Sequence, residues 1–152
     1  MGGRRSLVAG VAILALAAPA GAATERAQFG FDWPAQGHIT TPFIPHGHAG
    51  IDIGGLESLT VRAAVWGVVE KVGEQPGFEG YGNIVLVRVT PSLETLYAHL
   101  DAWDVKPGDP VLADEPIGIA GCTGICTGTH LHFEVRENGV AVNPMQFLLS
   151  AP

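Results

Sequence analysis

Asn83-Ile84-Val85-Leu86-Val87-Arg88-Val89 carries four apolar residues in unbroken succession, with Gly82 before it and Pro91 after it. A run this short, apolar at every position and bounded by turn residues, reads as a strand covered on both faces. Similar runs recur on either side: Thr60-Ala64, Gly67-Val72, Thr95-Leu100, Ile117-Ala120 and Leu131-Val135, separated by Gly, Pro, Asn and Asp. The pattern predicts an all-β fold. Helix signals are confined to Asn143-Pro144 ahead of Met145-Leu149, a cap followed by proline at the first helical position, enough for one or two turns.

A chain of 152 residues predicts one domain. Its 47% hydrophobic content supplies a core, while 21 Gly and 11 Pro exclude a helical bundle. The first residues read as a secretory signal peptide: Arg4 and Arg5, an uncharged apolar run from Leu7 to Ala18, then Ala20-Gly21-Ala22. The run is too short for the roughly 20 residues of a membrane span. The expected organisation is a signal peptide over 1–22, a short leader over 23–32 and one domain over 33–150. Export makes the product secreted or periplasmic, with no membrane attachment after removal of the signal. Loss of Arg4 and Arg5 makes the formal net charge of −7 more negative by two. So acidic a chain lacks the basic face of a nucleic-acid binder, and recognition of a polymer must come from a groove.

Four of the six histidines stand in suggestive places. His48-Ala49-Gly50-Ile51-Asp52 sets an imidazole and a carboxylate four apart, and Gly50, Gly54 and Gly55 point to a loop entering a strand. In His130-Leu131-His132-Phe133-Glu134, strand alternation puts both imidazoles and Glu134 on one face, with Leu131 and Phe133 turned to the core. The same alternation in Tyr97-Ala98-His99 predicts Tyr97 and His99 on a shared face. A catalytic zinc takes three protein ligands and keeps one position open. His48, Asp52 and His132 make one such set, although spacing alone does not choose between His130 and His132. His99 and His130 are then the groups with a pKa near neutrality available for proton transfer.

The order His-x-x-x-Asp, Tyr-Ala-His-Leu and Thr-Gly-x-His-Leu-His-Phe-Glu resembles the lysostaphin/LytM-type zinc endopeptidases of bacterial cell walls. Gly82-Asn83, Val105-Lys106-Pro107-Gly108-Asp109, Ile117-Gly118 and the stretch from Asn138-Gly139 to Asn143-Pro144 fall in the order that family shows, so the resemblance runs from about Trp33 to Leu148. It implies an antiparallel β-sandwich with a narrow substrate groove. It implies one Zn2+ per chain held by His48, Asp52 and His132, with His99 and His130 as catalytic helpers beside it. His46 is then a loop residue, and His38 a structural residue on an early strand. The implied activity is hydrolysis of a peptide bond in peptidoglycan, in a cross-bridge or a stem peptide, by a monomer. The alternative is a non-catalytic regulator that binds and activates a wall amidase, as relatives lacking metal ligands do. The full set of ligands and both helpers favours the enzyme.

Cys122 and Cys126 depart from the family, which usually has Ser or another small residue there. An oxidising compartment favours a disulfide across this tight turn, which would stiffen the loop just before His130. Two free thiols, or a closed Cys2His2 zinc site with His130 and His132, are the rival readings. The last would leave His48 and Asp52 without a role.

Overall fold

A computed structural model describes residues 30–149. The signal peptide expected over 1–22 and the leader up to residue 29 lie outside the described residues. Eleven strands follow in order among the described residues: β1 (His38–Thr41), β2 (Ile51–Gly54), β3 (Thr60–Arg62), β4 (Gly67–Gly73), β5 (Ile84–Arg88), β6 (Leu93–Ala98), β7 (Leu100–Trp103), β8 (Pro110–Val111), β9 (Pro116–Ala120), β10 (Leu131–Glu137) and β11 (Val140–Val142). A single 3-10 turn, Pro144–Gln146, follows. The Asn143 side chain caps it by accepting from the Met145 N–H at 3.0 Å.

The strands make two antiparallel sheets. The larger runs β1-β2-β10-β6-β5-β4-β8, with β11 paired to β10, and the smaller runs β3-β9-β7. The core between them takes Val61, Leu100, Ile117 and Ala120 from the small sheet and Ile51, Ile53, Val85, Val87, Tyr97, Leu131 and Phe133 from the large one. Alternation then sends the intervening residues of the large sheet to its other face. There Ile84, Leu86, Leu96 and Ala98 form a second apolar cluster beneath Phe78 and Tyr81. Ile84-Val85-Leu86-Val87 is therefore buried throughout because β5 is covered on both faces. The β10–β11 hairpin turns on Asn138-Gly139, both with positive φ, as the tight hairpin turns require.

Two expectations are corrected. The run Thr95-Leu100 is not one strand: it breaks at His99, whose φ is +62°, so that β6 belongs to the large sheet and β7 to the small one. Tyr97 and His99 do not share a face. Tyr97 points into the core, packed on Phe133, its hydroxyl accepting from the Thr95 hydroxyl and the Ala64 N–H, whereas the left-handed residue swings His99 out to the opposite side. Within the leader assigned to 23–32, Phe31 is fully buried against Phe147 and exchanges backbone hydrogen bonds with Phe147 and Leu149. The packed unit therefore takes in Phe31.

Candidate metal centre and groove

The centre lies on the outer face of the large sheet. Asp52 and His132 are direct cross-strand partners on β2 and β10, and Ala98 of β6 pairs His132 from the other side. Because Ile51, Ile53, Leu131 and Phe133 are held by the core, the pleat directs Asp52, His132 and Glu134 the opposite way. Gly50 permits this close pairing: a Cβ there would fall within the Phe133 carbonyl and 3.0 Å from Glu134 Cγ. His48 arrives from the loop between β1 and β2. Its Nδ1–H donates to the Pro42 carbonyl at 2.9 Å, which leaves Nε2 as the lone-pair nitrogen facing the sheet.

Three ligand atoms converge. His48 Nε2 is 3.1 Å from both Asp52 Oδ1 and His132 Nδ1, and His132 Nδ1 is 2.8 Å from Asp52 Oδ1. Tetrahedral zinc with bonds of about 2.0–2.1 Å separates its ligand atoms by roughly 3.3 Å, so the cluster fits the ion both in donor chemistry and in spacing. His132, Asp52 and His48 form a group that could hold a metal among the described residues. His46 stands outside it on the exposed loop, and His38 lies on β1.

Behind His132 sits a buried carboxylate. His132 Nε2–H donates to Glu134 Oε1 at 3.0 Å, the Tyr81 hydroxyl donates to the same oxygen at 2.6 Å, and Arg136 donates to Oε2 at 2.5 Å. Arg136 is in turn fixed by the Gly139 carbonyl and the Phe78 ring. Burial opposes charge on His132, but hydrogen bonds to Asp52 and Glu134 outweigh it and lift its pKa to about 9. Burial would raise Asp52, yet hydrogen bonds from His132 and Thr41 and the charges nearby bring it down to about 2. Glu134 is likewise held below its ordinary value against burial, chiefly by its bond to His132, and burial together with Glu134 pushes the Tyr81 phenol up.

His99 and His130 stand beside the cluster. Their rings are 4.8 Å apart, His99 is 5.9 Å from the His132 ring, and His130 Nε2 is 3.7 Å from Asp52 Oδ1. Burial lowers the His99 pKa, partly countered by its bond to the Thr123 carbonyl. All five residues line one groove of about 380 Å³, walled by Gly47, Ala49, the segment Glu79-Gly80-Tyr81 and the segment Ile125-Cys126-Thr127. The turn-rich stretch from Gln75 to Gly82 thus contributes a wall. Cys122 and Cys126 are joined in a disulfide, Cα atoms 5.5 Å apart, so neither sulfur is a thiolate for a Cys2His2 site. Glu134 could be placed on the histidine face from alternation, which also puts Arg136 there two residues on, but its other partner, Tyr81, carried no such signal. Tyr81 lies in a glycine-flanked turn 53 residues away.

The sequence pattern of peptidase family M23 matches residues 46–144. A DD-carboxypeptidase/endopeptidase, Mpg of Neisseria meningitidis, is 44% identical over 105 residues, covering 69% of this chain and 24% of that protein. The murein hydrolase activator NlpD of Escherichia coli is 34% identical over 118 residues, covering 76% of this chain and 30% of the activator. The chain therefore spans about a quarter to a third of the length of these relatives. Among solved structures, a zinc containing peptidase from Vibrio cholerae superposes with a TM-score of 0.67 at 28% identity, covering 81% of this chain and 41% of that one.

Proposed function

The chain belongs to peptidase family M23, and from that premise we propose that it is a zinc metalloendopeptidase that hydrolyses peptide bonds in cell-wall peptidoglycan. The observation that carries the reading is the convergence of His48 Nε2, Asp52 Oδ1 and His132 Nδ1, with the second nitrogen of each histidine already donating to a fixed acceptor. Ligands pre-oriented in this way are the usual mark of a built metal site. Zinc held there supplies Lewis-acid polarisation of a peptide carbonyl and acidifies an attacking water.

The chain's own residues supply the rest. His99 and His130 each donate Nδ1–H to a backbone carbonyl, of Thr123 and Gly128 respectively. That leaves Nε2 as the nitrogen through which each exchanges a proton with substrate or water. The depressed pKa of His99 keeps it neutral, and base-competent, at pH 7. The groove admits an extended peptide and shields the reacting bond on the side of Tyr81 and Ile125. A wall substrate is supported by the likeness to the DD-carboxypeptidase/endopeptidase of Neisseria and the murein hydrolase activator of Escherichia coli. Export, with cleavage of residues 1–22, and a monomeric domain that takes in Phe31 are part of the same proposal, supported by Arg4-Arg5, the apolar run and the disulfide.

A second reading, a non-catalytic activator of a wall amidase, draws on the likeness to the murein hydrolase activator. The two separate in one experiment. Purified protein is assayed for zinc and for digestion of defined muropeptides, alongside His132→Ala and His99→Ala. The enzyme reading expects about one zinc per chain, loss of metal and activity in His132→Ala, and retained metal without turnover in His99→Ala. Full-length protein that binds no zinc and cleaves no muropeptide, yet stimulates an amidase, would establish the activator instead.

A further inference from the structure

The loop between β9 and β10 does more than wall the groove. It is closed at its base by the Gly121–His130 bridge and across its middle by the Cys122–Cys126 disulfide. Two of its carbonyls accept the Nδ1–H of the two groove histidines: Thr123 O from His99 at 2.8 Å and Gly128 O from His130 at 2.8 Å. A carbonyl can only accept, so each bond demands the Nδ1–H tautomer and leaves Nε2 free. Thr123 is itself clamped on the far side: its hydroxyl donates to the Leu100 carbonyl and accepts from the Asn83 amide, and Ile125 N–H donates to the Gly80 carbonyl. These contacts tie the start of the loop to the sheet. From Cys126 to Thr129 the loop is half-buried to exposed and is held to the clamped part by the disulfide.

By contrast, His48, Asp52 and His132 hang on the β1–β2 loop and on strands, and none of their polar contacts involves residues 121–129. The loop therefore addresses the two auxiliary histidines and leaves the metal ligands alone. We infer that the Cys122–Cys126 disulfide is a positioning element: by holding Cys126–Thr129 to the clamped start of the loop it fixes the Gly128 carbonyl, and through it the tautomer and orientation of His130. This rests on the proposed peptidase reading and deepens it: metal retention and turnover are set by separate parts of the fold.

The test compares wild type with Cys122→Ser/Cys126→Ser, and with wild type treated with a phosphine, which converts the bridge to two thiols while the phosphine is oxidised and water supplies its oxygen. Zinc content, kcat and KM on a muropeptide, and the 15N spectra of labelled histidine are read on all three. The expected result is unchanged zinc, unchanged KM, kcat lower by roughly ten- to a hundredfold, the cost of a catalytic group misplaced by about 1 Å, and loss of the pure Nδ1–H signature at His130, with that of His99, held by the clamped Thr123, retained. Full turnover without the bridge, retention of the His130 tautomer, or loss of zinc together with turnover would overturn it. If the wild type binds no zinc and cleaves nothing, the proposed function fails; the 15N comparison still decides the positioning claim.

Discussion

Glu134→Gln is the substitution that separates the support of His132 from the packing around it. The side chain keeps its size, but three donors now meet one carbonyl and one amide. With the carbonyl in the Oε1 place, His132 Nε2–H and the Tyr81 hydroxyl are still accepted, and the amide is turned against Arg136, which stands at 2.5 Å as a donor. With the amide reversed, both His132 and Tyr81 lose their acceptor. Either arrangement removes the negative charge that makes His132 a stronger base. Loss of such an outer partner lowers metal affinity about 10–100-fold, roughly 1.4–2.7 kcal/mol. Unpairing the half-buried Arg136, which keeps its bond to the Gly139 carbonyl, costs about 1–3 kcal/mol of folding stability, within the roughly 5–15 kcal/mol of an ordinary domain, so the variant stays folded. Zinc affinity is measured by competition with a chelator, and unfolding by urea with and without zinc. Affinity within twofold of wild type alongside a lower urea midpoint would refute the reasoning, because Glu134 would then serve Arg136 and not the metal ligand.

Zinc binding at pH 7 is expected to expel close to one proton per chain, because His132, lifted to about 9, is protonated without metal while a ligand must be neutral. Calorimetry in buffers of different ionisation enthalpy reads this, and heats that do not depend on the buffer would contradict it. The same shift sets a stability profile for protein stripped of metal. The folded pKa of His132 is raised, so its contribution is complete below about pH 6.5 and fades as pH climbs through 9; that of Asp52, lowered to about 2, is complete above about pH 4 and fades as pH falls through 2. A urea midpoint that rises between pH 7 and 9.5 would show the sign to be wrong. Gly50→Ala places a methyl against the Phe133 carbonyl and Glu134; overpacking of this kind costs about 1–3 kcal/mol, and because it pushes β2 from β10 it should weaken zinc binding too. Unchanged midpoint and affinity would mean the strands have room to spare.

Much of this protein could be read from local pattern. A continuous apolar run marked β5 as covered on both faces, since no polar position interrupts Ile84-Val85-Leu86-Val87. Alternation assigned His132 and Glu134 to the face opposite Leu131 and Phe133, because the pleat has a period of two wherever the backbone stays extended. Asn143-Pro144 announced its single capped turn. Pattern failed where the period was broken or where partners were distant in the chain. His99 would point into the core if Thr95-Leu100 stayed extended. Its left-handed backbone is held by the Tyr81 carbonyl on its amide and the Thr123 carbonyl on its ring, residues 18 and 24 positions away. Spacing offered His130 and His132 as equals; the family resemblance named His132, and the register of β10 on β2, Asp52 opposite His132, sets it directly against the carboxylate. The sequence by itself determined the strands, their faces and the residue types of the centre, because those follow from neighbours along the chain. The tertiary structure alone decided which imidazoles meet, which nitrogen each presents and what orients them, because those depend on cross-strand register and on hydrogen bonds between loops far apart in sequence.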